Sequence, residues 1–221
     1  MPSVVVFDVN ETLSDLAPMA DRFEAVGAPG SLAATWFSEV LRDGFALTAT
    51  GGIERFAVLG EQVLRSVLHG RPLRVDTGSA VTQIMSGFTE LDVHPDVPAG
   101  VRGLRDAGLR LVTLSNGAAS VARALLDRAG LGDQFEQLLS VEDAGVWKPA
   151  PDAYRYAAAR CGAPLTELVL AAVHPWDIHG ASRAGLATAW INRTGAPYPS
   201  YFDRPTWEVA GVDGLAGALR P

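Results

Sequence analysis

Apolar residues in this chain follow two rhythms. At residues 3–8 (SVVVFD) they run consecutively and are mostly β-branched, which predicts a strand buried on both faces and hence part of a parallel sheet. Comparable runs recur at 109–115 (LRLVTLS), 138–141 (LLSV), 168–173 (LVLAAV) and 187–191 (ATAWI). Helical patterns alternate with them at 97–107, 118–129, 152–161 and 178–184, and Gly108, Gly130, Gly162 and Gly185 stand just past those helices as stops. Strands alternating with helices predict a doubly wound α/β sheet of Rossmann-like type.

One stretch breaks that alternation. From about residue 16 to 90 the periodicity is helical throughout, so the chain reads as an α/β core of residues 1–14 and 94–221 with a helical cap, 15–93, inserted after the first strand. Within the insert, Phe37, Leu41 and Phe45 recur at i, i+4 and i+8 and give one helix an apolar face. That face either packs inside the insert or lends residues to the wall of a substrate pocket. Gly51-Gly52 reads as a turn between helices, and 196–205, rich in Pro and Tyr, as an ordered loop whose Tyr198 and Tyr201 either pack locally, the commoner case, or touch a second copy in a homodimer.

Composition narrows the partners. A net charge of −7 without a basic patch argues against nucleic acid or an anionic membrane surface as the main ligand. The apolar runs are short and the start MPSVVVFD resembles no signal peptide, so the expectation is a cytoplasmic protein without a membrane span. The lone Cys161 reads as a small buried residue rather than a nucleophile.

In open parallel sheets ligands bind beyond the carboxyl ends of the strands. The residues expected there are Asp8 and Asn10, Ser115 and Asn116, Lys148, and the segment from His174 to Asp177. A carboxylate at Asp8 can attack a substrate covalently. Ser115, Asn116 and the start of the following helix can hold an anion. Lys148 supplies a cation that keeps Asp8 ionised, and Asp177 either orients that lysine or activates water.

The order of these clusters carries a resemblance. FDVNETL (7–13), LSNG (114–117), WKPAPDAY (147–154) and HPWDIHGA (174–181) resemble the four motifs of the haloacid dehalogenase superfamily, and a helical cap after the first motif agrees with it. Within that superfamily the chain is most similar to the type II, L-2-haloacid dehalogenases. The resemblance implies a metal-independent hydrolase without cofactor, whose aspartate displaces halide from a small carboxylic acid and is regenerated by water. It implies Asp8 as nucleophile, Thr12 as its support, Ser115 and Asn116 as binders of the substrate carboxylate and Lys148 as the adjoining cation. It further implies Tyr154 in the active site, Asp177 as the aspartate that assists ester hydrolysis, and Phe56 and Trp176 as apolar pocket residues.

Three positions depart from the pattern. Asn10 stands where dehalogenases usually have an aromatic residue, Phe37 where they carry a halide-binding arginine, and His174 where they usually have asparagine. His174 reads either as a general base, as a protonated anion site, or as a neutral residue fixing its loop. His69, His94 and His179 read as structural. A phosphatase of the same superfamily is the alternative, as is a homologue that binds anions without turnover. The phosphatase needs an acid at position 10 and a second metal-binding acid near position 173, where Asn10 and Val173 stand.

Overall fold

The computed structural model describes residues 2–220. The chain divides into two compact units, one formed by 1–14 and 92–221 and the other by 15–91. The boundary falls at 91/92 rather than 93/94, because Val93 bridges Ser14 in antiparallel fashion and the His94 amide donates to the Leu13 carbonyl.

Strand β1 (Val4–Phe7) opens the first unit, with all four residues buried. The second unit follows immediately, built from α1 (Met19–Ala25), α2 (Leu32–Ala49), α3 (Phe56–Leu68) and α4 (Thr77–Thr89). The chain then runs through α5 (Val97–Asp106), β2 (Arg110–Ser115), α6 (Ala119–Arg128), β3 (Gln137–Ser140), α7 (Val141–Ala144), α8 (Pro151–Cys161), β4 (Leu168–Ala172), α9 (Pro175–Ala184), β5 (Ala187–Ile191), β6 (Trp207–Val209) and α10 (Leu215–Ala218). Among the described residues six strands form one parallel sheet in the order β3-β2-β1-β4-β5-β6. With β1 at its centre and β2 and β4 on either side, the chain ends of these three strands lie side by side.

The consecutive apolar runs are strands because both sheet faces are covered. On one face Val5 and Phe7 join Val97, Val101 and Leu104 of α5 and Leu125 and Leu126 of α6, and the Phe7 and Phe135 rings meet edge to face at 5.9 Å. The third strand ends one residue earlier than its pattern predicts. Ser140 turns out to cap α7, its Oγ accepting from the Glu142 amide at 3.1 Å, so Val141 becomes helical. Strand β6 has no counterpart among the predicted strands.

In the helical unit Trp36 is the hub. Its indole donates to the Gly60 carbonyl at 3.0 Å and its ring packs against Phe23, Phe37, Phe56 and Phe88. Within the apolar stripe of α2, Phe37 meets both Trp36 and Phe56. Arg42 lies on the exposed side of α2, ion-paired with Asp43 and Glu39. No described helix is long and apolar enough to cross a bilayer.

Helix α5 approaches the segment around Val212 so closely that a Cβ on Gly100 would overlap the Val212 carbonyl. Backbone cannot retreat as a flexible side chain can. Gly100→Ala is therefore expected to destabilise the core by about 1–3 kcal/mol, read as a lowered urea midpoint with an unchanged denaturant slope.

Candidate active site

Strand β1 delivers Asp8 to the tip of the sheet, with its amide donating to the Ala171 carbonyl of β4 at 3.1 Å. The adjoining strand ends supply the remaining parts. Ser115 ends β2, Lys148 sits between α7 and α8, and His174 to Asp177 open α9 directly after β4. Pro149, joined to Lys148 by a cis peptide, closes the lysine loop.

Lys148 is completely buried, and its ammonium lies 2.8 Å from Asp8 Oδ1 and 2.6 Å from Asp177 Oδ2. The Trp176 ring centroid is 5.9 Å from the same nitrogen. Tyr154, also fully buried, donates its hydroxyl to Asp177 Oδ1 at 2.6 Å. Gly180 makes room for this contact, since a Cβ there would stand 2.5 Å from Pro149 Cβ and 2.7 Å from the tyrosine oxygen. Asp177 is therefore held at both oxygens.

The two oxygens of Asp8 differ in their company. Oδ1 meets Lys148, whereas Oδ2 accepts from the Thr12 hydroxyl at 2.7 Å and faces His174 Nδ1 at 3.0 Å. Thr12 is itself oriented, because its oxygen accepts from the Val173 amide at 3.1 Å, which directs its proton toward Asp8. Oδ1 keeps the freer lone pair. It is the better placed of the two to attack.

His174 has a second partner besides Asp8. Its other ring nitrogen, Nε2, lies 2.8 Å from Glu11 Oε2, so a carboxylate faces each nitrogen. A ring in that setting is held as an imidazolium, which removes the lone pair a general base needs and aims one N–H at each carboxylate. The Trp176 ring covers it at 5.0 Å.

Glu11 is the member of this cluster that the sequence pattern did not single out. It sits in the left-handed region at φ 61°, unusual outside glycine. Its carbonyl accepts from Arg193 Nη1 at 3.4 Å and lies 3.0 Å from His94 Nε2, and Arg193 also bonds the Thr12 carbonyl and pairs with Asp96. His94 and Arg193 together hold the loop that carries Asp8, Glu11 and Thr12.

The other expected site residues divide. Ser115 is buried, and its Oγ accepts from the Gly117 amide at 2.9 Å, leaving its own proton available to a ligand. Asn116 is turned the other way: its Oδ1 accepts from the Lys148 amide at 3.0 Å and its Nδ2 donates to the Lys148 carbonyl at 3.3 Å. It holds the lysine loop. Asn10 is nearly buried without a hydrogen-bond partner among the described residues, and its amide nitrogen lies close to Gly117. Phe37, Leu41 and Phe56 are buried in the helical unit.

Charge follows this geometry. Burial alone would raise the pKa of Asp8, but Lys148 and then His174 outweigh it and hold the carboxyl well below the ordinary range. Burial works against the charge on Lys148 too, yet Asp177 and Asp8 lift it above the usual lysine value. Burial lifts Asp177 against the pull of Lys148, with the Asp8 charge adding to the rise, so it is a stronger base than a free carboxylate. His174 is likewise opposed by burial, and its bonds to Asp8 and Glu11 push it up to about 9.

Asp8 and Asp177 do not fit a divalent ion. The oxygens that would bind it are taken by an ammonium, an imidazolium and two hydroxyls, and Asn10 and Val173 add no carboxylate. Among the described residues no group of three or more His, Cys, Asp or Glu is arranged around a possible metal position.

The raised pKa of His174 links stability to pH. Its stabilising share is fully present below the unfolded value of 6.5 and is lost as the pH rises through about 9. Unfolding free energies measured from pH 6 to pH 10 are expected to fall in the native chain by up to about 3 kcal/mol more than in His174→Asn. Parallel profiles for the two proteins would contradict a charged His174.

A model of the haloacid dehalogenase-like hydrolases matches residues 2–185. Haloacetate dehalogenase H-2 of Moraxella sp. (strain B) is 27% identical over 213 residues, covering 96% of this chain and 95% of that protein. (S)-2-haloacid dehalogenase 4A of Burkholderia cepacia is 30% identical over 198 residues, covering 89% and 85%. Among solved structures, a dehalogenase with an intermediate complex superposes with a TM-score of 0.92 at 27% identity, covering 100% of this chain and 98% of that one. The L-2-haloacid dehalogenase of Xanthobacter autotrophicus with chloropropionic acid covalently bound gives 0.88 at 25% identity, covering 100% and 99%. The matched span takes in the whole cluster assembled around Asp8, and the chain belongs to the haloacid dehalogenase-like hydrolases.

Proposed function

We propose that this hydrolase removes halide from small 2-halocarboxylic acids, most simply an (S)-2-haloacid or a haloacetate, through an ester on Asp8. The observation that carries this reading is the pairing of an ionised Asp8, one oxygen still open to attack, with an amide, Asn10, two residues on, where a phosphatase of this superfamily needs a carboxylic acid to protonate the leaving alcohol. Halide needs no proton to leave, whereas the leaving oxygen of a phosphate ester does. Relatives named as haloacetate and (S)-2-haloacid dehalogenases, and a neighbouring structure with covalently bound chloropropionic acid, support the same chemistry.

In the first half-reaction an Oδ1 lone pair forms a bond to C2 as the C2–halogen bond breaks, its electron pair leaving with the halide. The substrate carboxylate would be received by the Ser115 proton, the Asn10 amide and the positive field of Lys148. Asn116 acts at one remove, by fixing the lysine loop. In the second half, water attacks Cγ and gives a proton to Asp177, whose basicity burial has raised. The Cγ–Oδ1 bond then breaks and the product alkoxide recovers a proton, so that one 2-hydroxy acid, one halide and one net proton are released. The reading includes work in the cytoplasm, where a buried lone thiol such as Cys161 stays reduced.

Halide release from (S)-2-chloropropionate or chloroacetate is expected to persist in EDTA and to fall by about three orders of magnitude or more in Asp8→Asn. A single turnover in ¹⁸O-labelled water should leave the label in Asp8 and not in the first product. Robust, EDTA-sensitive hydrolysis of phosphate esters would instead favour the phosphatase branch.

A further inference from the structure

When Oδ1 of Asp8 becomes the ester oxygen, Oδ2 becomes the ester carbonyl oxygen, and water attack on Cγ turns it into an oxyanion. The structure already aims two donors at that atom: the Thr12 hydroxyl at 2.7 Å, oriented by the Val173 amide, and His174 Nδ1 at 3.0 Å. We propose that His174, held as an imidazolium by Glu11, is a catalytic residue that completes a cationic oxyanion hole for the second half-reaction. The inference rests on the Asp8-ester reading above and adds a division of labour between the two steps.

The argument is electrostatic. In the first step negative charge leaves Asp8 for the halide, so a cation fixed at Oδ2 favours the reactant carboxylate and does not assist displacement. In the second step charge returns to Oδ2, and the same cation lies where it develops. Donors preorganised at such an atom contribute strongly because nothing must reorganise during the reaction. An acyl-phosphate on Asp8, attacked at phosphorus, would place no such charge on Oδ2, so the arrangement is also better suited to carbon chemistry.

Glu11 is the positioning residue. Its side chain is 43% exposed, but its backbone is held in the left-handed region by His94 and Arg193, which brings Oε2 to 2.8 Å from the ring. His174 meets Asp8 and Glu11 at its nitrogens and the Trp176 ring over its face. The nearest further charges are Lys148 on the other Asp8 oxygen and Arg193 on the Glu11 carbonyl. Its second proton is held against Glu11, and its first points at Oδ2.

Rapid-quench kinetics with (S)-2-chloropropionate, joined to intact mass measurement, separates the half-reactions. In His174→Asn and Glu11→Gln the expected outcome is a burst of halide equal to the enzyme present. The mass of the substrate residue should accumulate on the protein as ester hydrolysis slows by about 100-fold or more, while displacement changes far less. Should His174→Asn fail to fold, Glu11→Gln decides, since it keeps the imidazole and changes a half-exposed side chain. Equal slowing of both steps without an adduct, or hydrolysis at the native rate in a folded variant, overturns the oxyanion role. Failure of the native enzyme to release halide from any 2-haloacid would instead overturn the dehalogenase reading.

Discussion

An ammonium with no access to water, lying between two carboxylates, is the constraint around which this core is organised. Burying Lys148 has a large desolvation cost, which only close opposite charges offset, and the distances of 2.8 and 2.6 Å supply them. The consequence spreads along the sheet. Asp8 comes from the end of β1, Asp177 from the first turn of α9 after β4, and Lys148 from the segment beyond β3. Loss of the lysine would leave two like charges in a closed space. The pairing therefore holds three strand ends in mutual register as firmly as it sets up the chemistry.

Neighbouring residues belong to two tasks that overlap in space. Tyr154, Asn116 and Gly180 fix the lysine and its second carboxylate, through a hydroxyl on Asp177, an amide on the lysine backbone, and the space left by a missing side chain. Thr12, His174 and Glu11 act on the far oxygen of Asp8. One carboxylate thus stands between a lysine side and a histidine side, and the asymmetry gives its two oxygens different fates.

Much of this was legible in the sequence, for a physical reason. Strands buried on both faces must be continuously apolar, so β1, β2, β4 and β5 announce themselves, and polar residues directly after them have to lie at the sheet's carboxyl edge. What escaped depends on contacts distant along the chain. Strand β6 is three residues long, lies at the edge of the sheet and has an exposed glutamate at its centre, so neither length nor alternation marks it. Glu11 reads as filler within a motif until His174, 163 residues away, is brought against it. Asn116 looks like a ligand binder from its place beside Ser115, and only the course of the lysine loop shows what its amide holds. The ionisation state of His174 has no signature in sequence at all, since it arises from two carboxylates that meet only after folding.

The posture of Glu11 has a consequence for how such a chain can change over time. A side chain held at φ 61° carries strain on the order of 1 kcal/mol, which glycine would not. Glycine there would relieve that strain and lose the ion pair with His174, so strain and pairing act on stability in opposite directions. Position 11 is thereby tied to position 174, and homologues could be sorted by whether the two change together.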